Sequence, residues 1–417
     1  MPSKALPISP AVAQLLRDRR ESLGLTLRRV EELSGASGSP IPHSTLARIE
    51  LGRFDPGVRR LGQLLALYQL PIQAAGDVLE VEALAGAIPM ERDPAKLNAR
   101  ANEAWRQGKI PEALAAFLAF RRRVPKDDDH RAMRHEAILS FAVAAGGLGK
   151  LYLSRHMLDE LLLDNPEPER LVRILIQLSV VWHALGSPVA ALAFLDSAAT
   201  YAQPHDPREQ GLVQHQRAQI LIDQRQYAAA AKCLALAVKH CRRAKAPYDE
   251  GRAMLSIVRL KFESGQPKAA LAEARLAEKF AAKHKANRIR LCALVDQARA
   301  HLALGSPDEA KQRLRTVLAD PATADDNRLA FFAHFYLWQA ERAAGNAGRT
   351  AVELREASYY RRFVDQNSPE SKILKQELGG TSHAGRPLGA RVHRRGSDRD
   401  RATQPRRSRS SDGARRI

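Results

Sequence analysis

Three stretches carry residue types that could do chemistry. In "HSTLARIELGR", residues 43–53, helical spacing puts Leu46 and Ile49 on one face and Ser44, Thr45 and Arg48 on another. A short helix with hydroxyls at its start and an arginine one turn on suits the major groove of DNA. The guanidinium pairs with guanine, and small hydroxyls reach phosphates or base edges. A plain solvated surface helix would carry the same residues. "GGLGKL", residues 146–151, has the glycines and lysine of a phosphate loop. It lacks the Ser or Thr that should follow the lysine, and the helical "ILSFAVAA" stands where a strand should precede it. Cys233, His240 and Cys241 share a helical face. Seven residues are two turns, about 10.5 Å, too far for one metal ion, so these side chains are expected to serve packing. No metal, no cofactor and no enzymatic activity are expected, because no HExxH, nucleophile elbow or paired acids appear.

The elements that must position Arg48 are short. "AVAQLLRDRRESLG" places Val12, Leu15, Leu16 and Leu23 on one face and stops at Gly24. Thr26 is a good N-cap for a second helix with Leu27, Val30 and Leu33 inward, ending at Gly35. Gly52 and Pro56 close the third helix, and Leu61, Leu64, Leu65 and Tyr68 mark a fourth.

The stretches "LRDRRESLGLTLRRVEELSG" and "STLARIELGRFDPGVRRLGQLLALYQL" resemble the phage-repressor and xenobiotic-response-element family of helix-turn-helix domains. The resemblance covers roughly residues 11–70 and implies a DNA-binding domain, bounded here at 8–72. It implies a structural ion pair between Arg20 and Glu50, and base-facing positions at His43, Ser44, Thr45 and Arg48. Leu27 stands where the family often has a phosphate-binding glutamine, so Arg28 or Arg29 is expected to take that contact; Arg53 completes the DNA-binding set. A solvated face is the other reading of Arg28 and Arg29. The turn before the third helix is about five residues longer than the family's usual one.

From residue 95 the chain becomes rich in Ala and Leu, and Gly108, Gly149, Gly186, Arg225, Gly265, Gly305 and Gly345 recur at steps of 41, 37, 39, 40, 40 and 40 residues. Such regularity fits an array of helix pairs. Small residues recur at two fixed offsets, as at Ala230 and Ala218, and Trp338 is the exception. "GSPVAAL", "GQPKAAL" and "GSPDEAK" each put proline at the first position of a new helix, and Ser306 with Glu309 fits a capping box. These features resemble tetratricopeptide repeats, with a longer period. The fold class is therefore all-α: a small helix-turn-helix bundle, a linker helix over 73–94, and a right-handed α-solenoid of six or seven pairs over 95–366. At one phase of the repeat come Gln219, Arg259, Arg299 and Gln339, a polar stripe that would suit a peptide backbone or carboxylate in the solenoid groove. A merely solvated groove is the alternative. Trp105, Trp182 and Trp338 are read as packing residues.

Charge bounds the partners. The chain has 66 Lys+Arg against 46 Asp+Glu, net +20, but residues 380–417 hold eleven Arg and three Asp, so +8 sits in a tail expected to be disordered. That tail either clamps DNA nonspecifically or is inert. Residues 1–70 hold ten Lys+Arg against six acids, or +4, enough to favour double-stranded DNA as a partner. Three cysteines without a CxxC pair suit a reducing compartment. With no apolar run of eighteen residues and no leader-like start, no membrane is expected, and the location expected is cytoplasmic. The reading is a sequence-specific transcriptional regulator, a homodimer, whose solenoid binds a peptide or protein. The alternative is a protein-assembly scaffold whose N-terminal domain makes only protein contacts.

Overall fold

A computed structural model describes residues 8–36, 38–125, 127–202, 206–364 and 368–384. They form helices joined by turns and loops, with no strand among them. Residues through Leu374 form one compact unit, and a second begins at Lys375.

The first helices are α1 (Pro10–Ser22), α2 (Leu27–Ala36), α3 (His43–Glu50), α4 (Gly57–Leu67) and α5 (Ile72–Leu84). α2 starts where the Thr26 hydroxyl accepts the Arg29 N–H at 3.1 Å. Leu16, Val30, Leu46, Ile49, Leu64, Leu65 and Tyr68 close the core between them, each nearly or wholly without exposure. The helix expected over 73–94 ends at Leu84, and residues 85–93 are not helical. α5 is no free linker either. Ala74, Ala75, Val78 and Val81 belong to one apolar core that runs on into Leu153, Leu158 and Val181.

Seven helix pairs follow among the described residues: α6 and α7 (Pro94–Gln107, Ile110–Arg123), α8 and α9 (Arg131–Gly147, Leu151–Leu163), α10 and α11 (Pro168–Ala184, Pro188–Tyr201), α12 and α13 (Pro207–Asp223, Tyr227–Arg243), α14 and α15 (Pro247–Glu263, Pro267–Lys283), α16 and α17 (Asn287–Ala303, Pro307–Ala319), and, after the short α18 (Pro321–Asp325), α19 and α20 (Asn327–Ala343, Ala347–Tyr360). α21 (Pro369–Ala384) ends the description. It carries helix into 380–384, where disorder was expected; the rest of the basic tail lies outside the described residues. Within each pair the turn residue is left-handed, and Arg225, at φ 60°, adopts the same conformation as the six glycines. The small residues at the fixed offsets, among them Ala113, Ala142, Ser179, Ala218, Ala270 and Ala298, have no exposed surface, so the paired helices meet closely there. Ser306 makes no side-chain cap bond, contrary to the capping-box reading; Pro307 supplies the stiff start instead.

From α8 onward the first helix of each pair touches the first helix of the next, whereas the second helices make no comparable contact with one another. The layer therefore bends with the first helices on its inner, concave side. The bend brings the first pair against the sixth. Gln107 Nε2 donates to the Lys285 carbonyl at 3.0 Å. Arg288 lies over the Trp105 ring, 4.5 Å from its centroid, and pairs with the buried Asp326 at 2.8 Å.

Candidate nucleic-acid interface and solenoid groove

α3 is short because its inward residues are few. Leu46 and Ile49 are buried, while His43, Ser44 and Arg48 are exposed and Thr45 is half-buried. Arg48 passes 5.3 Å from the Phe54 ring centroid, which steadies its stem without engaging its donors. The His43 ring meets Glu31 at 2.8 Å, and Glu31 also accepts the His43 backbone N–H at 3.2 Å, so α2 caps α3. Those bonds hold the Glu31 carboxyl below the usual range. His43 thus has a partner within the domain.

Arg20 and Glu50 meet as a two-pronged pair, Nε–Oε1 2.8 Å and Nη2–Oε2 2.9 Å. Arg20 also donates to the Leu25 carbonyl at 2.7 Å, and Tyr68 donates to Glu50 at 3.4 Å. The bond to Glu50 raises the Arg20 guanidinium further above its ordinary value. Burial pushes the Tyr68 phenol up. These bonds lock α3 to α1 and α4 from behind.

The long turn before α3 is anchored. Ile41, 1 % exposed, enters the core, and the Ser34 hydroxyl accepts its N–H at 2.9 Å while donating to the Glu31 carbonyl at 2.8 Å. Gln63 from α4 holds the Ser39 carbonyl at 2.9 Å. Arg28 and Arg53 are exposed, and Arg29 pairs with Glu32 at 2.8 Å on the surface. Arg59 and Arg60, exposed at the start of α4, extend the basic edge beside this turn. Sequence reading passed over them, although "VRR" after Pro56 was the available signal.

The bundle is fixed to the solenoid. Asp77 on α5 accepts the N–H groups of Tyr152 and Leu153, both at 3.1 Å, and so caps α9. Burial raises the Asp77 carboxyl, and the Leu153 N–H opposes that rise. Lys150, buried, pairs with Glu80, and Arg121 on α7 reaches Asp18 on α1 at 3.1 Å. The first two glycines of "GGLGK" serve approach, since a Cβ at Gly147 would lie 2.9 Å from the Trp105 ring, and Gly149 is the left-handed turn. Cys233, Cys241 and Cys292 are free thiols, and no metal-type cluster occurs among the described residues.

On the concave side the polar stripe is knitted into ties between repeats. Arg259 donates to Gln219 at 2.8 Å and pairs with Asp223, which also meets His183 at 2.8 Å. Arg299 pairs with Glu263 at 3.1 Å and stacks on Phe262, 3.8 Å from the centroid. Each arginine reaches back to an acid one repeat earlier, a partner the stripe alone did not reveal. Gln339 is half-buried and makes no side-chain hydrogen bond among the described residues. His215, buried against Ser256 at 2.8 Å, is driven down to about 3 by burial, and burial pushes Asp296 up to about 7. Tyr336 donates to Glu370 of α21 at 2.6 Å, so the start of α21 lies on this inner face.

Set beside known proteins, the chain has no match among curated sequences. Among solved structures it is similar to Bacillus thuringiensis PlcR, crystallised with the peptide PapR7 and DNA. That likeness has 14% identity and a TM-score of 0.42, over 68% of this chain and 99% of the other. No helix among the described residues is long and apolar enough to cross a membrane. Residues 16–74, which hold α2, α3 and the Arg20–Glu50 pair, match the model of the helix-turn-helix family.

Proposed function

We propose that this chain is a sequence-specific, DNA-binding transcriptional regulator, that it works as a homodimer in the cytoplasm without enzymatic activity, and that its solenoid binds a peptide or protein segment. The observation that carries the reading is the outward face of α3. Ser44 and Arg48 stand exposed there with no side-chain hydrogen bond among the described residues, on a helix held from behind by the Arg20–Glu50 pair. Two exposed donors on a rigid short helix are what base-edge reading needs. Arg28, Arg29 and Arg53 beside it would supply phosphate contacts. The groove half of the proposal rests on Gln219, Arg259, Arg299 and Gln339 lying at one phase of the inner face. A carboxylate ligand there would exchange with Asp223 and Glu263 for the two guanidinium groups.

Selection of bound DNA from a random pool by the full chain tests it. A recovered palindrome supports both sequence reading and the dimer. Recovery of no sequence preference would favour the scaffold reading, in which α3 meets protein.

A further inference from the structure

Where α10 and α12 begin and α11 and α13 end, Glu169, Tyr201, Asp206, Arg208 and Glu209 line a cavity of about 500 Å³. A smaller one of about 220 Å³ adjoins it and shares four of these residues. The charges around them are mostly satisfied. Arg208 pairs with the buried Asp249 at 2.9 Å, Arg173 with Glu136 at 2.7 Å, and Arg170 with Glu167 at 2.9 Å. Asp206 is used as a helix cap, accepting the N–H groups of Arg208 at 2.9 Å and Glu209 at 3.1 Å. Left over are two carboxylates and, in the wall of the smaller cavity, the buried Arg170 Nε, which has no hydrogen-bond partner among the described residues. Glu169 is exposed at the rim, and Glu209 is only 5 % exposed; neither side chain has a hydrogen-bond or ion-pair partner among the described residues.

The Glu209 side chain is mostly buried, but its carboxylate opens into the cavity, where the cost of its charge is relieved by a proton or by a cation. Burial first, then Asp206 and Glu169, push the Glu209 carboxyl up to about 7 against the pull of Arg173 and Arg208, so near neutral pH a proton and a bound cation compete. Among the described residues the acids do not converge as metal ligands. Tyr201, half-exposed, adds an aromatic wall of the kind that receives organic cations.

We infer that this cavity binds an organic cationic group, a guanidinium or primary ammonium, paired with Glu209 and flanked by Glu169 and Tyr201. This site is separate from the DNA-binding face and from the Arg259–Arg299 stripe, and it does not depend on the function proposed above. The group could belong to a peptide side chain or to a free polyamine; the chemistry at Glu209 is the same.

Calorimetric titration of the full chain with Nα-acetyl-arginine methylamide, Nα-acetyl-lysine methylamide and putrescine separates the sources. At least one should saturate in the low millimolar range, and the neutral isostere Nα-acetyl-citrulline methylamide should bind at least about tenfold more weakly. Tighter binding of the blocked amino acids assigns a peptide, and tighter binding of putrescine a polyamine. Glu209→Gln should weaken binding at least about tenfold while raising the thermal midpoint of the unliganded chain. Glu169→Gln, at the exposed rim, should weaken it about two- to fivefold. Saturable binding by none of the three cations, equal binding of the citrulline derivative, or undiminished binding by Glu209→Gln would overturn the inference.

Discussion

At the residue scale, Arg48 and Arg28 are both exposed arginines, and only their places differ. Arg48→Ala should lose about 1–3 kcal/mol on the selected site and relax preference at one base position, whereas Arg28→Ala should weaken all sequences alike and lower the salt slope by about one. Binding measured on specific and random DNA at two salt concentrations checks both. Arg20 and Glu50 are nearly buried, so Arg20→Ala or Glu50→Ala leaves a charge unpaired and should destabilise the domain by about 3–5 kcal/mol, the double variant losing less than the sum. Denaturant melts of the four proteins read this out. Glu209 sets a pH dependence. Its carboxyl titrates higher in the folded than in the unfolded chain, so the folded state loses stability as pH rises from about 4.5 through about 7. Glu209→Gln removes that loss. The variant's advantage in unfolding free energy, read from denaturant melts, should therefore be small at pH 5 and larger at pH 8, reaching about 1–2 kcal/mol once solvent screening of the cavity-facing carboxyl is allowed for. The Arg20–Glu50 contact was legible because a family pattern names both positions, while the partners of Arg259 and Arg299 were not. An acid four residues after the stripe, one repeat back, has no local signature until the superhelical stagger is known.

At the level of elements, periodicity and punctuation carried most of the fold. Gly24, Gly52 and the seven repeat turns fall where helices end. Thr26 caps α2 as its hydroxyl chemistry implied. What sequence could not supply was the role of the long turn into α3. Ile41 read as a loop residue, yet it is a core residue two places before α3, and the Ser34 hydroxyl fixes its backbone. Ile41→Ala should destabilise the bundle by about 2–5 kcal/mol and lower affinity for every DNA sequence alike, since it unseats α3 without touching a donor. Circular dichroism melts and binding to two unrelated sites check this. The helix expected over 73–94 is shorter and more firmly packed than read, for a related reason. α5 is apolar on a face whose partner, α9, lies about eighty residues further on, and such a partner leaves no trace in local spacing.

For the whole molecule, the N-terminal bundle and the solenoid share one core and three polar ties, at Asp77, at Glu80 and at Asp18. A change in solenoid curvature therefore moves α5 and α1 as a body; in the homodimer proposed above, a ligand that prefers one curvature would bias the separation of the two bundles. Arg259→Ala with Arg299→Ala should cut two ties between repeats and abolish any shift of DNA affinity on adding cell extract, leaving DNA affinity without extract unchanged. A gel-shift titration with and without extract measures it. The contact of the first pair with the sixth has a different consequence, for cooperativity. An open repeat array is held only by neighbours, so it frays from its ends and its terminal units exchange their amide hydrogens soonest. Here the unit nearest the bundle cannot detach without also parting Trp105 from Arg288 and Gln107 from the Lys285 carbonyl. The array is closed into a loop, and six units should open nearly together. Amide exchange in α6 and α7 should then be as slow as in α12 and α13, and Arg288→Ala should restore a gradient that quickens toward α6. Closure of this kind couples the repeats, so that a change of curvature must be shared by all six units at once and cannot be taken up by one.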